Sequence, residues 1–207
     1  MGLYSYTDKQ IAALNRQYVR LFRKIRLLNF DELNVLNDVS AVYKEADKKA
    51  KAAYLKIAEQ AYLFGLKEAE RAGFKRNKRK YDINRDWILD FLEEEDEVTL
   101  YRYAPEWERK KQRLVEALAA TSAPKREIDK ALRYMIQQTT HYADKATSEA
   151  ELQAFHSCGV TKVMWITERD DRVCEKCEPL DGKVFDIDKV PQIPAHYRCR
   201  CTLKIVS

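Results

Sequence analysis

The chain has 207 residues, of which 45% are hydrophobic and 34% are charged, and its net charge is +5. This length and composition exclude a chain that is disordered throughout and allow one or two folded domains. Only 5 glycines and 5 prolines are present, which excludes an all-β fold with many tight turns and favours long helices. No apolar stretch approaches the roughly twenty residues of a membrane span, and the N-terminus lacks a signal-peptide pattern. We expect a water-soluble protein that is synthesised without export and has no membrane partner.

Apolar residues spaced by three and four predict two long helices in the first third of the chain. The second follows Asp31, a candidate N-cap, extends to Phe64 or beyond and ends at Arg71-Ala72-Gly73. Because the link between the two helices is short, they should pack antiparallel or meet at a sharp corner. The stripe of the first helix consists of Ile11, Leu14, Tyr18, Leu21, Ile25 and Leu28.

The sequence pattern in the middle of the chain predicts three more helices. One begins around residues 84–86, and Pro105 and Pro124 suit the first turns of the other two. The last of these should continue to Cys158-Gly159, with a candidate break at Thr147-Ser148.

After the last predicted helix, the hydrophobic period changes from helical to alternating. Strands are predicted at residues 162–167, 182–187 and 199–206. The sequence therefore predicts an α+β fold. A long N-terminal helical hairpin or bundle, residues 1–158, is followed by a small β-containing C-terminal module, residues 159–207.

The module contains a cluster of metal-ligand residues. Cys174-x-x-Cys177 is followed, after 18 residues, by His196-x-x-Cys199-x-Cys201. Zinc takes four thiolate or imidazole ligands at tetrahedral positions, and a Cys-x-x-Cys turn can present two of them. We predict zinc bound by Cys174, Cys177 and Cys201 with either His196 or Cys199, a choice that spacing leaves open. Disulfide pairing and unligated thiols are the alternatives.

The predicted zinc is structural, because a module of under fifty residues buries little apolar surface and gains stability from a metal clip. A catalytic zinc is disfavoured, since the sequence contains neither His-Glu-x-x-His nor the paired motifs of the zinc deaminases. His141 and His156 are interpreted as core or surface residues, and Cys158 as a buried residue at a helix end. Two other function classes stay open: a zinc-supported nuclease or toxin, and a cellular zinc-containing DNA-binding protein.

Basic residues are concentrated in the first part of the chain, where residues 1–80 carry 18 basic and 9 acidic side chains. Such a run can neutralise DNA phosphates without sequence preference, or it can form a solvated loop. The candidate DNA-binding residues are the densest part of the run, namely Arg71, Lys75, Arg76, Lys78, Arg79 and Lys80.

One longer pattern carries a family resemblance. It reads Trp165-x-Thr167-x-x-Asp170-x-Arg172-Val173-Cys174-x-x-Cys177-x-x-x-x-Gly182, followed by Pro194-x-His196-x-x-Cys199-Arg200-Cys201. This order resembles the C-terminal signature of the phage Mu F-like minor head proteins, also called phage head morphogenesis proteins. The chain departs from that family in two places. Tyr197 stands where the family often has proline, and Gln138-Thr139-Thr140 stands where it often has Arg-Thr-Glu.

The resemblance implies a non-enzymatic minor capsid protein of a tailed phage, situated in the capsid interior of the virion. Such a protein would associate with the portal protein and with the packaged double-stranded DNA, and would act in head assembly, genome packaging or genome ejection. The scaffold and the major capsid protein are the further partners that this implies.

Overall fold

The computed structural model describes residues 3–28, 34–75, 92, 95–96, 101–120, 123–168, 173–197 and 199–206. Within these ranges the chain is mostly helical and carries a small antiparallel sheet near its C-terminus. The expected combination of long helices with a small sheet is thereby confirmed. The helices are α1 (Leu3–Arg26), α2 (Val35–Arg71), α3 (Tyr103–Ala120) and α4 (Pro124–Ser157).

The first two helices pack against each other. Phe22, near the end of α1, lies 5.9 Å from Tyr43, near the start of α2, measured between ring centroids, as expected for an antiparallel pair. Helix α2 ends where predicted, because Gly73 adopts a positive φ of 89° that suits glycine. The predicted cap Asp31 and the predicted helix around residues 84–86 lie outside the described residues.

Helices α2 and α4 form the most extensive interface between helices. Their backbones approach closely at Gly65, where an added Cβ would lie 2.8 Å from the Cβ of Ala154. The two helices run parallel, since Tyr54 contacts Tyr142 and Gly65 contacts Ala154. Helix α3 adds Trp107 to the aromatic core beside Tyr43.

Helix α4 is continuous from Pro124 to Ser157, so the candidate break at Thr147-Ser148 is wrong. The hydroxyl of Thr147 donates to the carbonyl oxygen of Ala143 at 2.9 Å, which satisfies it without interrupting the helix. Gly159, with φ of 78°, ends the turn that follows. Among the described residues, none of the helices combines the length and the apolarity that a membrane span requires.

Five short strands are described: β1 (Glu95–Asp96), β2 (Tyr101–Arg102), β3 (Lys162–Ile166), β4 (Val184–Asp186) and β5 (Thr202–Ile205). The first two pair with each other, and the other three form an antiparallel sheet in the order β4-β3-β5. Val163 and Trp165 on the central strand are fully buried. Val163 belongs to the same hydrophobic core as the helices, so the sheet is anchored directly on the bundle.

Candidate metal centre

The first pair of candidate ligands lies on a tight turn between β3 and β4. The carbonyl oxygen of Cys174 accepts hydrogen bonds from the backbone N–H groups of Cys177 and Glu178, each at 2.9 Å. A 3-10 turn, Glu178–Leu180, follows directly. The sequence folds this way because a Cys-x-x-Cys segment closes a short loop that brings both sulfur atoms to one side.

The remaining three candidates precede β5. The backbone N–H of Cys199 donates to the carbonyl oxygen of His196 at 3.1 Å, which closes a second tight turn. Cys201 directly precedes Thr202, the first residue of β5, so the sheet fixes its backbone. Because β3 lies between β4 and β5, the sheet brings the two turns together.

All five predicted ligand residues belong to one cluster centred on Cys177. The Sγ atom of Cys177 lies 3.1 Å from Nε2 of His196 and 3.8 Å from Sγ of Cys199. This cysteine belongs to two groups of three ligand residues. The first group also contains Cys174 and His196, and the second also contains Cys199 and Cys201. Within each group, the ligand atoms lie within 4.8 Å of one another. Thiol and imidazole donors at these separations fit a zinc ion, so the cluster could hold a metal.

The orientation of His196 suits a metal ligand. Its Nδ1 atom lies 2.8 Å from the carbonyl oxygen of Tyr197, an acceptor to which Nδ1–H donates. This hydrogen bond favours the tautomer in which Nε2 carries a lone pair, and Nε2 faces Cys177. Metal-ligating histidines are commonly held in this way by a carbonyl group behind the ring.

The pKa values of two neighbouring thiols in the cluster, Cys177 and Cys201, are raised, so these thiols stay protonated when no cation is bound. Burial, together with the neighbouring Cys201 and Cys199, raises the pKa of the Cys177 thiol well above its ordinary range. Burial also raises the pKa of the Cys201 thiol to about 11. At Cys174, desolvation acts upward, but hydrogen bonds from the backbone N–H groups of Cys177 and Lys176 outweigh it and lower the pKa. A bound cation is what stabilises adjacent thiolates together.

A contact that sequence reasoning missed joins this cluster to the helices. Gln138 of α4 donates from Nε2 to the hydroxyl oxygen of Tyr197 at 2.7 Å. The Tyr197 ring also packs against buried His141, with 4.8 Å between ring centroids. Gln138 and Tyr197 both lie where the chain departs from the resembled family, and they are in contact with each other. Only their joint departure could have indicated the pair.

The remaining candidate residues lie elsewhere. The Arg71 side chain, 72% exposed, pairs with Glu68 at the end of α2, and exposed Lys75 follows shortly after that helix. Arg76, Lys78, Arg79 and Lys80 lie outside the described residues. Cys158 is buried at the end of α4, and His156 is exposed 3.6 Å from Asp188.

Fold and cluster together define a helical protein with a small, cysteine-rich β module. Residues 110–204 match the sequence model of a family described as Phage Mu protein F like protein. This match confirms the resemblance noted from the cysteine and histidine pattern of the chain. No curated protein and no solved structure is significantly similar to the chain.

Proposed function

We propose that the chain is a minor capsid protein of a tailed phage that acts in head morphogenesis. The observation that carries this proposal is the match of residues 110–204 to the phage Mu F-like family. On this proposal the protein is not an enzyme. It lies in the interior of the capsid, bound to the portal protein and in contact with packaged DNA, and it acts in genome packaging or ejection.

The proposal assigns separate roles to two domains. Residues 1–158 form the helical domain that attaches to the portal, because the flanks of its helices can accept a partner helix without unfolding. Residues 159–207 form the module that zinc stabilises, with Cys174, Cys177 and Cys201 and either His196 or Cys199 as ligands. The Cys/His cluster supports this assignment, since it consists of two groups of three ligand residues that share Cys177, and the donor atoms within each group lie within 4.8 Å of one another.

The proposed DNA contact is independent of base sequence. It is assigned to Arg71, Lys75 and the basic residues that follow them. Each phosphate contact contributes about 0.9 to the dependence of log affinity on log salt for duplex DNA. Neutralising all six basic residues should therefore reduce the salt slope of binding to duplex DNA.

The experiment that tests the proposed function is a pull-down with the portal protein of the same phage, followed by an assay of incorporation into heads. The full chain, residues 1–159 and residues 160–207 are compared, after circular dichroism has shown which of them fold. We expect the full chain and the helical fragment to bind the portal protein. Exclusion of a folded helical fragment while residues 160–207 are incorporated would reverse the assigned roles, and no association by the full chain would refute the proposal.

A further inference from the structure

Strand β5 forms one edge of the three-stranded sheet. The N–H of Val206 donates to the carbonyl oxygen of Lys162 at 3.1 Å, which sets the register between β5 and β3. Bonded and non-bonded pairs alternate in an antiparallel ladder, so Lys204 also bonds to β3. The backbone N–H and C=O groups of Leu203 and Ile205 consequently point away from β3, along the outer edge.

Those four backbone groups have no backbone hydrogen-bond partner within the part of the chain that the structure describes. A groove of about 390 Å³ lies beside them, between β5 and the last turns of α2 and α4. Phe64 of α2 and Phe155 of α4 line it together with Leu203 and Ile205. The edge thus offers donors and acceptors in the spacing of a strand, next to apolar surface.

Two cationic and two acidic side chains line the groove. Arg71 lies at the helix side of the groove, paired with Glu68, and Lys204 is exposed on the strand itself. Burial, with the nearby charge of Glu68, raises the pKa of the Glu151 carboxyl in the same groove to about 8, so this carboxyl is largely protonated at neutral pH. The cationic side chains of Arg71 and Lys204 therefore face a single ionised carboxylate, that of Glu68.

We propose that the free edge of β5 and the adjoining groove bind an extended, acidic-flanked peptide segment of a partner protein as a fourth strand. Main-chain hydrogen bonds to Leu203 and Ile205 would hold the segment, and alternate apolar side chains would enter the groove. The groove of about 390 Å³ that adjoins the edge can take the side chains of such a segment. The inference goes beyond the role in head assembly, because it requires neither the portal protein nor DNA.

The test removes one outward-facing donor without changing a side chain. Ligation at Cys201 gives a full chain that carries N-methyl-isoleucine at position 205, and the unmodified ligated chain is the matched control. A second control chain is methylated on the backbone nitrogen of Lys204. This chain loses a donor that faces β3, so it should melt at a lower temperature. The probe is a fluorescein-labelled peptide of alternating valine and threonine with glutamate at both ends, followed by fluorescence anisotropy.

We expect the control chain to bind this peptide and the chain N-methylated at Ile205 to bind it about threefold to tenfold more weakly, with unchanged melting. A peptide with lysine at both ends should bind more weakly than the glutamate peptide. Absence of binding, equal binding by the two chains, or equal binding of the two peptides would overturn the proposal. A dimer in sedimentation that dissociates on N-methylation of Ile205 would also overturn it, because the occupant would then be a second copy.

Discussion

Cys177 is the residue on which the candidate metal centre depends most. It is 2% exposed, and it is the only member that the two ligand groups share in the described part of the chain. Replacing it removes a ligand from either possible set of four, whereas replacing His196 or Cys199 leaves one set complete. Cys177 therefore tests the presence of a metal without first deciding which residues bind it.

We predict that the purified protein holds one zinc per chain and that Cys177→Ser abolishes this binding. Because ligation free energy is folding free energy in so small a module, residues 161–207 should lose hydrogen-exchange protection while the helices stay formed. Metal analysis and hydrogen exchange measure the two effects. Cys158→Ser, at a buried cysteine outside the cluster, is the control and should retain zinc. A zinc-free wild-type protein with a protected module would contradict the prediction.

Tyr197 connects the second ligand turn to α4 through Gln138, which is 7% exposed. We predict that Tyr197→Phe lowers the free energy of unfolding by about 1–3 kcal/mol, because it leaves the Gln138 amide buried without this acceptor. Gln138→Leu in the same chain should recover part of the loss. Urea denaturation of the two single variants and the double variant gives the coupling energy, and a coupling near zero would show that the hydrogen bond contributes nothing to stability.

At the scale of elements, the parallel pair α2 and α4 depends on the absence of a side chain at Gly65. An added Cβ would approach the Cβ of Ala154 to 2.8 Å and the carbonyl oxygen of Glu151 to 3.2 Å. Alanine favours a helix over glycine by about 1 kcal/mol, but overpacking a close contact costs about 1–3 kcal/mol. The helices must therefore separate, or the substituted pair must become less stable.

We predict that Gly65→Ala lowers the free energy of unfolding by about 1 kcal/mol, measured by urea denaturation. The double variant Gly65→Ala with Ala154→Gly moves the methyl group to the other helix and should regain part of that loss. A stabilised Gly65→Ala variant would mean that the two helices can shift at little cost and that propensity alone decides the outcome.

The sequence predicts those elements that local signals specify. Pro124 indicates the start of α4, and Gly73 indicates the end of α2, because each fits the backbone geometry required there. The predicted break at Thr147-Ser148 is wrong, because the Thr147 hydroxyl donates a hydrogen bond to a carbonyl oxygen of its own helix, that of Ala143. Similarly, the Cys-x-x-Cys and His-x-x-Cys-x-Cys spacings indicate all five candidate ligand residues, whereas the contact between Gln138 and Tyr197 joins residues 59 apart and has no periodic signal.

At the scale of the whole molecule, two carboxyl groups of α4 are partly buried where the helices meet the module. Asp144 lies in a small cleft that Thr7 of α1 and Arg200 of the module also line. Burial, with the charge of Asp8, raises its pKa to about 7. Glu151 lines the same cleft, and burial with the charge of Glu68 raises its pKa to about 8. Sequence alone does not identify them, because acidic residues on a long helix are usually exposed.

These raised pKa values predict how stability depends on pH. Between about pH 4 and about pH 8 the folded protein keeps protons that the unfolded chain releases, so the free energy of unfolding falls as the pH rises through that window. The fall should be on the order of a few kcal/mol and should level off above the folded pKa values. Urea denaturation between about pH 5 and about pH 8.5 measures it, and the variant Asp144→Asn with Glu151→Gln should show a much flatter profile. Glu116→Gln changes an exposed carboxyl and should leave the wild-type slope intact. An unchanged slope in the double variant would contradict the prediction, because the titrating groups would then lie elsewhere.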